Sequence, residues 1–284
     1  MTEVKSIAVI GAGTMGGGIA LTAAMSGINA FQVDINSEQL DRAKAYHAKT
    51  LARSVEKQRM TQADADAATK RITYVTDMSA SSAADWAVEA ATEHVEVKKK
   101  LFQAMRAAYR DDVVLATNTS SISITDLASA VGDAASRVIG MHFFNPVPVM
   151  KLVEVIKGLA TAEDVTARTI ALAERMGKTA IPANDRAGFV SNRVLMPMIN
   201  EAFYAWMDGV AEPEAIDEIM KLGCNFPMGP LRLADFIGLD VCHDIMMVLH
   251  RELGQDKYFP CPLLRQLVTA GRLGDKTKRG VYAY

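Results

Sequence analysis

The chain has 284 residues, half of them hydrophobic and 23% charged, with a formal net charge of −2. Those figures suit a globular protein with a sizeable core, long enough for two domains, and they exclude recognition of nucleic acid or an anionic membrane by bulk charge. The three cysteines, Cys224, Cys242 and Cys261, are an odd set with no CxxC spacing, which argues against a disulfide framework and against a zinc or other metal site; reduced, mostly buried thiols are expected.

Ile7-Ala8-Val9-Ile10 is a short run with β-branched residues stopped by Gly11, the pattern of a buried parallel strand. The N-terminus shows no basic leader or small-residue cleavage site, and no segment approaches the ~18 apolar residues of a membrane span. The cytoplasm is therefore the expected setting. Gly11-Ala-Gly13-Thr-Met-Gly16 then opens a small-residue helix for which Gly27 is a plausible stop. Strand, G-x-G-x-x-G and helix in that order form the dinucleotide fingerprint: a tight turn at Gly11, close backbone approach at Gly13, and helix–strand contact at Gly16. Asn29 to Val33 predicts a second strand, with Asp34 at its end. A carboxylate there accepts from a ribose hydroxyl and repels a 2′-phosphate, and Ile35-Asn36-Ser37 offers no arginine, so NAD is favoured over NADP. The competing reading is a tight turn without ligand, with Asp34 as an ordinary helix N-cap.

Residues 37–70 are rich in Ala, Lys, Arg, Gln and Glu with no strand signal. They predict a helical excursion of two helices, the second starting near Thr61-Gln-Ala-Asp64. Thr50, Arg53 and Lys57 share one helix face by their spacing, a patch that suits phosphates as well as plain solvent. Strands are predicted at 72–75, 86–91, 113–118, 138–142, 152–156 and 178–182, with helices between most of them. The fifth of these eight strands leads to "NTSSISI" and the sixth runs into "MHFFNP".

The polar link "NDRAGFVSNR" follows, and beyond it the β runs largely stop. "FVSNRVLMPMINEAFYAWMDG", "PEAIDEIMKLG" and "ADFIGLDVCHDIMMVLHRELG" each carry helical spacing with capping or stopping residues. The expected organisation is an α/β Rossmann-type N-terminal domain with a helical excursion, residues 1–185, and an all-α C-terminal domain, residues 186–284. Met196, Met198, Ile199, Phe203 and Trp206 are more apolar residues than one small helical domain is expected to bury, which points to a homodimer through that domain.

Taken together, GAGTMG, "NTSSISI" (118–124), "GMHFFNPVPVMKLVEV" (140–155), "GFVSNR" (188–193), "MKLGCNFPMGP" (220–230) and "GDKTKRGVYAY" (274–284) resemble the short-chain L-3-hydroxyacyl-CoA dehydrogenases, the bacterial 3-hydroxybutyryl-CoA dehydrogenase branch above all. The resemblance runs in order from residue 7 to the C-terminus. It implies that His142 takes the proton of a 3-hydroxyl while hydride leaves C3, and that Glu154 orients the imidazole and stabilises its cation. Histidine suits this chemistry, because oxidation of a secondary alcohol asks for a base that works near neutral pH. The resemblance adds Ser120 and Asn192 as donors to the substrate's 3-oxygen and thioester region. It places Gly11, Gly13, Met15, Gly16, Asp34, Glu93, Lys98, Ser120, Asn145 and Lys276 on the cofactor, and Thr50, Lys57 and Ser120 on the CoA substrate. A homodimer is implied again.

Each assignment has a blander rival. His142 is otherwise a satisfied core histidine, Glu154 a solvated strand residue, Ser120 a helix N-cap, and Glu93, Lys98 and Lys276 surface charges. "DLASAVGDAASRV" looks one residue longer than in close relatives, so counting back from His142 selects Ser121, while counting through NTSS selects Ser120. Ala187 stands where the family usually has proline, and Lys278-Arg279 replace a usual Gly-Arg or Gly-Glu. Two other functions compete: a 3-hydroxyacid dehydrogenase of the 6-phosphogluconate type, which uses a catalytic lysine in a helical segment, and a non-catalytic NAD-binding protein.

Overall fold

The structure is a computed structural model and describes residues 3–284. It divides into two compact units, the first ending at Asp185 and the second starting at Arg186.

The first unit is built on one sheet of β1 (Ser6–Ile10), β2 (Asn29–Val33), β3 (Ile72–Val75), β4 (Trp86–Glu89), β5 (Val114–Thr117), β6 (Val138–Phe143), β7 (Leu152–Lys157) and β8 (Thr179–Asn184). The spatial order is β3-β2-β1-β4-β5-β6-β7-β8. From β3 to β6 all pairs are parallel, β7 runs antiparallel to β6, and β8 is parallel to β7. Helices α1 (Thr14–Met25), α2 (Ser37–Glu56), α3 (Gln62–Lys70), α4 (Val95–Ala108), α5 (Ile124–Ser129) and α6 (Glu163–Arg175) connect or flank the strands. This is the doubly wound order, and β1 and β4 enclose the switch point where ligands bind. Strands β4 and β5 are buried at every position, which is why their sequences run apolar without alternating. Helix α1 is buried from Gly16 to Ala24, so its Gly and Ala residues permit close contact with the sheet. The core gathers Ile7, Val9, Ile19, Trp86, Val88 and Phe143.

The predicted strands all form, with edges moved by a few residues. The fourth stops at Glu89, short of Ala91, because Ala90 and Ala91 turn away against Gly11: a Cβ on Gly11 would lie 2.6 Å from Ala90 O and Ala91 Cα. The helical excursion is α2 and α3, and Thr61 caps α3 by accepting from Asp64 N–H at 3.1 Å. Its anchor is a residue the sequence did not flag. His47, buried on α2, bonds Gly17 O of α1 through Nε2 at 2.8 Å and Tyr74 OH through Nδ1 at 2.8 Å. Burial holds its pKa below the usual 6.5.

The second unit is helical: α7 (Ser191–Met207), α8 (Pro213–Cys224), α9 (Pro230–Ile237), α10 (Leu239–Leu253) and α11 (Pro262–Thr269). Proline opens α8, α9 and α11, where its missing N–H costs nothing. The stretch expected as one helix from Ala234 to Gly254 is broken, because Gly238 at φ +108° ends α9 and begins α10. The buried carboxylates Asp217 and Asp235 tie down the C-terminal segment: Asp235 accepts from Val281 N–H, Tyr282 N–H and Tyr284 OH, and Asp217 accepts from Tyr282 OH.

One further expectation changes. Met196, Ile199 and Phe203 are buried in this unit's own core, and Met198 and Trp206 are half-buried. They are not a surplus apolar face; the exposed apolar residues here include Val194, Val210, Ile219 and Leu222. Most of the thiols are buried as expected, Cys242 and Cys261, while Cys224 is exposed. Among the described residues no helix is long and apolar enough to cross a membrane.

Candidate active site

The glycine loop lies at the C-terminal end of β1. Gly11 takes φ +104°, and Gly16 packs so closely that a Cβ would fall 1.9 Å from Gly11 O. Gly13 is exposed, and a Cβ there would meet no atom within 4 Å. No side chain caps the N-terminus of α1 and its first turn carries no acid, so the dipole end and the N–H groups face outward for an anion. Asp34 fixes the loop: Oδ2 accepts from Ala12 N–H at 2.8 Å and Oδ1 from Asn36 N–H at 2.9 Å. A carboxylate has about four acceptor positions, so both oxygens keep capacity for ribose hydroxyls. Asp34 is not the cap of α2; Asn36 is, accepting from Glu38 N–H. Ile35, directly after Asp34, is 93% exposed. Met15 is half-buried in the first turn of α1. The donor set and the open cradle at Gly13 suit a dinucleotide.

Beneath the loop, the buried Gln32 donates from Nε2 to Gly11 O at 2.7 Å and to Val9 O at 3.3 Å. It braces the turn from the sheet side.

His142 and Glu154 stand directly opposite each other in the antiparallel β6–β7 register. Opposed residues share a face of the sheet, and Nδ1 of His142 lies 2.7 Å from Glu154 Oε2 with both residues buried. A carboxylate accepts, so Nδ1 carries the hydrogen and the imidazole is fixed in one orientation. Phe144 packs on the imidazole, ring centroids 4.5 Å apart. Asn145 is exposed in the connection after β6, where the Asn145–Pro146 peptide is cis.

Ser120 follows β5. Its N–H and Oγ donate to Glu93 Oε1 at 2.7 and 2.9 Å, and Thr119 Oγ1 donates to the same oxygen at 2.7 Å. The helix cap of this segment is Ser123, which accepts from Asp126 N–H, and not Ser120. Ser121 donates its N–H to Thr119 Oγ1 at 3.4 Å. Asn118 laces the strand ends together: its N–H donates to Glu89 O at 2.7 Å and its Oδ1 accepts from Phe143 N–H at 2.9 Å. Lys98 is buried, its Nζ 2.5 Å from Glu89 Oε2 and 3.8 Å from Glu93 Oε2; it is not a surface charge.

The remaining candidates lie farther along the chain. On α2, Thr50 is half-buried and Arg53 is exposed, and the exposed Lys57 caps that helix. In the second unit, Asn192 is buried in the first turn of α7, and Lys276 Nζ pairs with Asp240 Oδ2. The sequence reading missed Glu89, Asn118, Gln32, Thr119 and His47. Glu89 had a usable signal, since a lone acid inside the apolar run WAVE is costly unless paired.

Residues 6–186 match the family model of the 3-hydroxyacyl-CoA dehydrogenase NAD binding domain, and residues 188–284 match the C-terminal domain of the same enzymes. The chain belongs to the 3-hydroxyacyl-CoA dehydrogenase family. It is accordingly an oxidoreductase with NAD as its cofactor. A probable 3-hydroxybutyryl-CoA dehydrogenase of Bacillus subtilis is 53% identical over 282 residues, covering 99% of this chain and 98% of the relative. A crystal structure of an (S)-3-hydroxybutyryl-CoA dehydrogenase from Ralstonia eutropha is 47% identical, covers 99% of each chain and superposes with a TM-score of 0.96. A 3-hydroxyadipyl-CoA dehydrogenase of Escherichia coli is 43% identical over 99% of this chain, which spans 59% of that longer protein. The 3-hydroxyacyl-CoA dehydrogenase fold expected from the motifs, a Rossmann-type domain followed by helices, is the fold observed.

Proposed function

We propose that this dehydrogenase interconverts (S)-3-hydroxyacyl-CoA and 3-oxoacyl-CoA, with 3-hydroxybutyryl-CoA and acetoacetyl-CoA as its principal pair. The observation that carries the mechanism is the buried His142–Glu154 pair at the end of β6, Nδ1 to Oε2 at 2.7 Å. Glu154 holds Nδ1–H, so Nε2 is the nitrogen that takes the 3-hydroxyl proton. In the reverse direction it returns that proton to the 3-oxygen. NAD supplies the hydride acceptor when bound. Glu93 holds Ser120 through the backbone N–H, and the single hydroxyl hydrogen, given to Glu93 in this structure, turns to the substrate's 3-oxygen when substrate is bound. That anchoring favours Ser120 over Ser121. Asn192 is assigned to the thioester region on the family resemblance.

The first turn of α1, with Gly11, Gly13, Met15 and Gly16, holds the cofactor pyrophosphate, and Asp34 holds the ribose. The exposed Ile35 offers an apolar surface to the adenine. Glu93, Lys98, Asn145 and Lys276 complete the cofactor contacts in this reading, and Thr50 and Lys57 take the CoA end. The first unit is thus the NAD-binding domain. The second serves substrate and dimerisation, as a homodimer, on the strength of its exposed Val210, Ile219 and Leu222. The setting is cytoplasmic. Among rival activities, 3-hydroxyadipyl-CoA is the substrate to test, given the name of the Escherichia coli relative.

The deciding assay follows NADH absorbance with acetoacetyl-CoA, wild type against His142→Gln. Wild type consumes NADH much faster than NADPH, and the variant loses about 10²–10⁴-fold in kcat while still binding NADH by fluorescence. A wild type that binds NADH yet is inert with acetoacetyl-CoA and with longer or dicarboxylic 3-oxoacyl-CoAs sinks the substrate class.

A further inference from the structure

Glu89 ends β4 with both carboxylate oxygens committed. Oε1 accepts from Ala91 N–H at 2.8 Å, beside the turn against which Gly11 packs. Oε2 accepts from Lys98 Nζ at 2.5 Å and from Thr117 Oγ1 at 2.7 Å. The same ammonium donates to Thr117 Oγ1 at 3.2 Å and Asn118 O at 3.4 Å. Glu89 and Lys98 are both fully buried, whereas the Glu93 side chain is 43% exposed. A buried ion pair is seldom a good source of stability, because desolvating two charges offsets most of their attraction. Its better-attested use is to fix geometry. The geometry it meets here is the segment Thr117–Ser120, and three donors of that segment's end converge on Glu93.

We propose that Glu89 is a positioning residue of the active site. By holding the Lys98 ammonium between the ends of β4 and β5, it leaves Glu93 to grip Thr119 and Ser120. Without a charge at Glu89, the nearest anion to the buried ammonium is Glu93, 3.8 Å away. Glu93 is then drawn toward Lys98 and off Ser120. The catalytic side of this inference rests on the reading of Ser120 given above.

The test is Glu89→Gln, alone and combined with Ser120→Ala. Amide exchange is followed across residues 118–121 in the protein without substrate, and steady-state kinetics are measured with acetoacetyl-CoA. The expected result is faster exchange at 118–121 with the rest of the first unit protected as before. In kinetics, kcat falls about tenfold or more with KM for acetoacetyl-CoA little changed, and Ser120→Ala adds almost nothing further, because the two changes remove one function. Unchanged exchange at 118–121, or effects that simply multiply, overturns the proposal. If Glu89→Gln does not fold, Glu89→Gln with Lys98→Met also removes the ammonium that would draw Glu93 away; near-wild-type exchange at 118–121 is then expected, and faster exchange there overturns the idea. Exchange needs no turnover, so an enzyme inert toward acetoacetyl-CoA would sink the substrate reading while leaving the role of Glu89 decided.

Discussion

In the proposed mechanism the two nitrogens of His142 are given different work. Glu154 is positioned on Nδ1 by backbone register, not by a flexible loop. Glu154→Gln keeps the shape but presents an amide that can turn its NH₂ toward Nδ1, which favours the wrong tautomer. The expected loss is about 10²–10⁴-fold in kcat, with NADH affinity within a few-fold of wild type; stopped-flow single turnovers show whether the loss lies in the chemical step. Equal kcat values for the two proteins would remove Glu154 from the mechanism. Cofactor choice is also a one-residue matter. Asp34 has no arginine nearby in sequence to offset its charge against a 2′-phosphate. Asp34→Ser should narrow the NADH-over-NADPH preference by about tenfold or more, roughly 1.4 kcal/mol, as read by the ratio of kcat/KM values. The ring residue His47 does structural work instead. Its Nε2 donates to Gly17 O and its Nδ1 accepts from Tyr74 OH, an arrangement only the neutral imidazole makes.

Elements inherit these local facts. His47 joins α2 to α1, and burial depresses its pKa below 6.5 in the fold. Between the depressed value and 6.5 the unfolded chain binds more protons than the folded one. Stability therefore rises with pH across that window and is lost as pH falls below about 6.5. Thermal unfolding at pH 7.5 and pH 5 should show a smaller drop in Tm for His47→Gln than for wild type; parallel drops would exclude His47 as the titrating group. At this scale the sequence was largely legible. Strands β1 to β8 announced themselves as apolar β-branched runs, and the fingerprint located the switch point. The break at Gly238 was hidden because a glycine inside an amphipathic run also occurs in unbroken helices. The geometry was legible at His142 and Glu154, which the structure pairs, and at Asp34, which it sets on the glycine loop. It was illegible where residues act by lacing strand ends: Glu89, Asn118 and Thr119 come together only after β4, β5 and β6 are paired in register, and of the three only Glu89, an acid inside WAVE, carried a signal of its own.

For the whole molecule, the proposed homodimer has a testable surface in the second unit. Val210, Ile219 and Leu222 are 75%, 63% and 77% exposed in the second unit, and Ile219 and Leu222, three residues apart on α8, share one helix face; the proposed homodimer would cover that face. Leu222→Glu should shift the solution mass by light scattering from two chains to one, with the far-UV spectrum unchanged; a wild type that already runs as one chain would end the dimer reading. The sheet has one further consequence at this scale. Parallel order is broken once, where β7 turns back along β6, and that reversal brings His142 and Glu154 together as neighbours on a single backbone lattice. Their spacing is therefore insulated from the connection 144–151 that joins the two strands. Rewriting the exposed part of that connection should leave the His142–Glu154 distance in its frame, because the pairing of two strands and not the loop between them sets it.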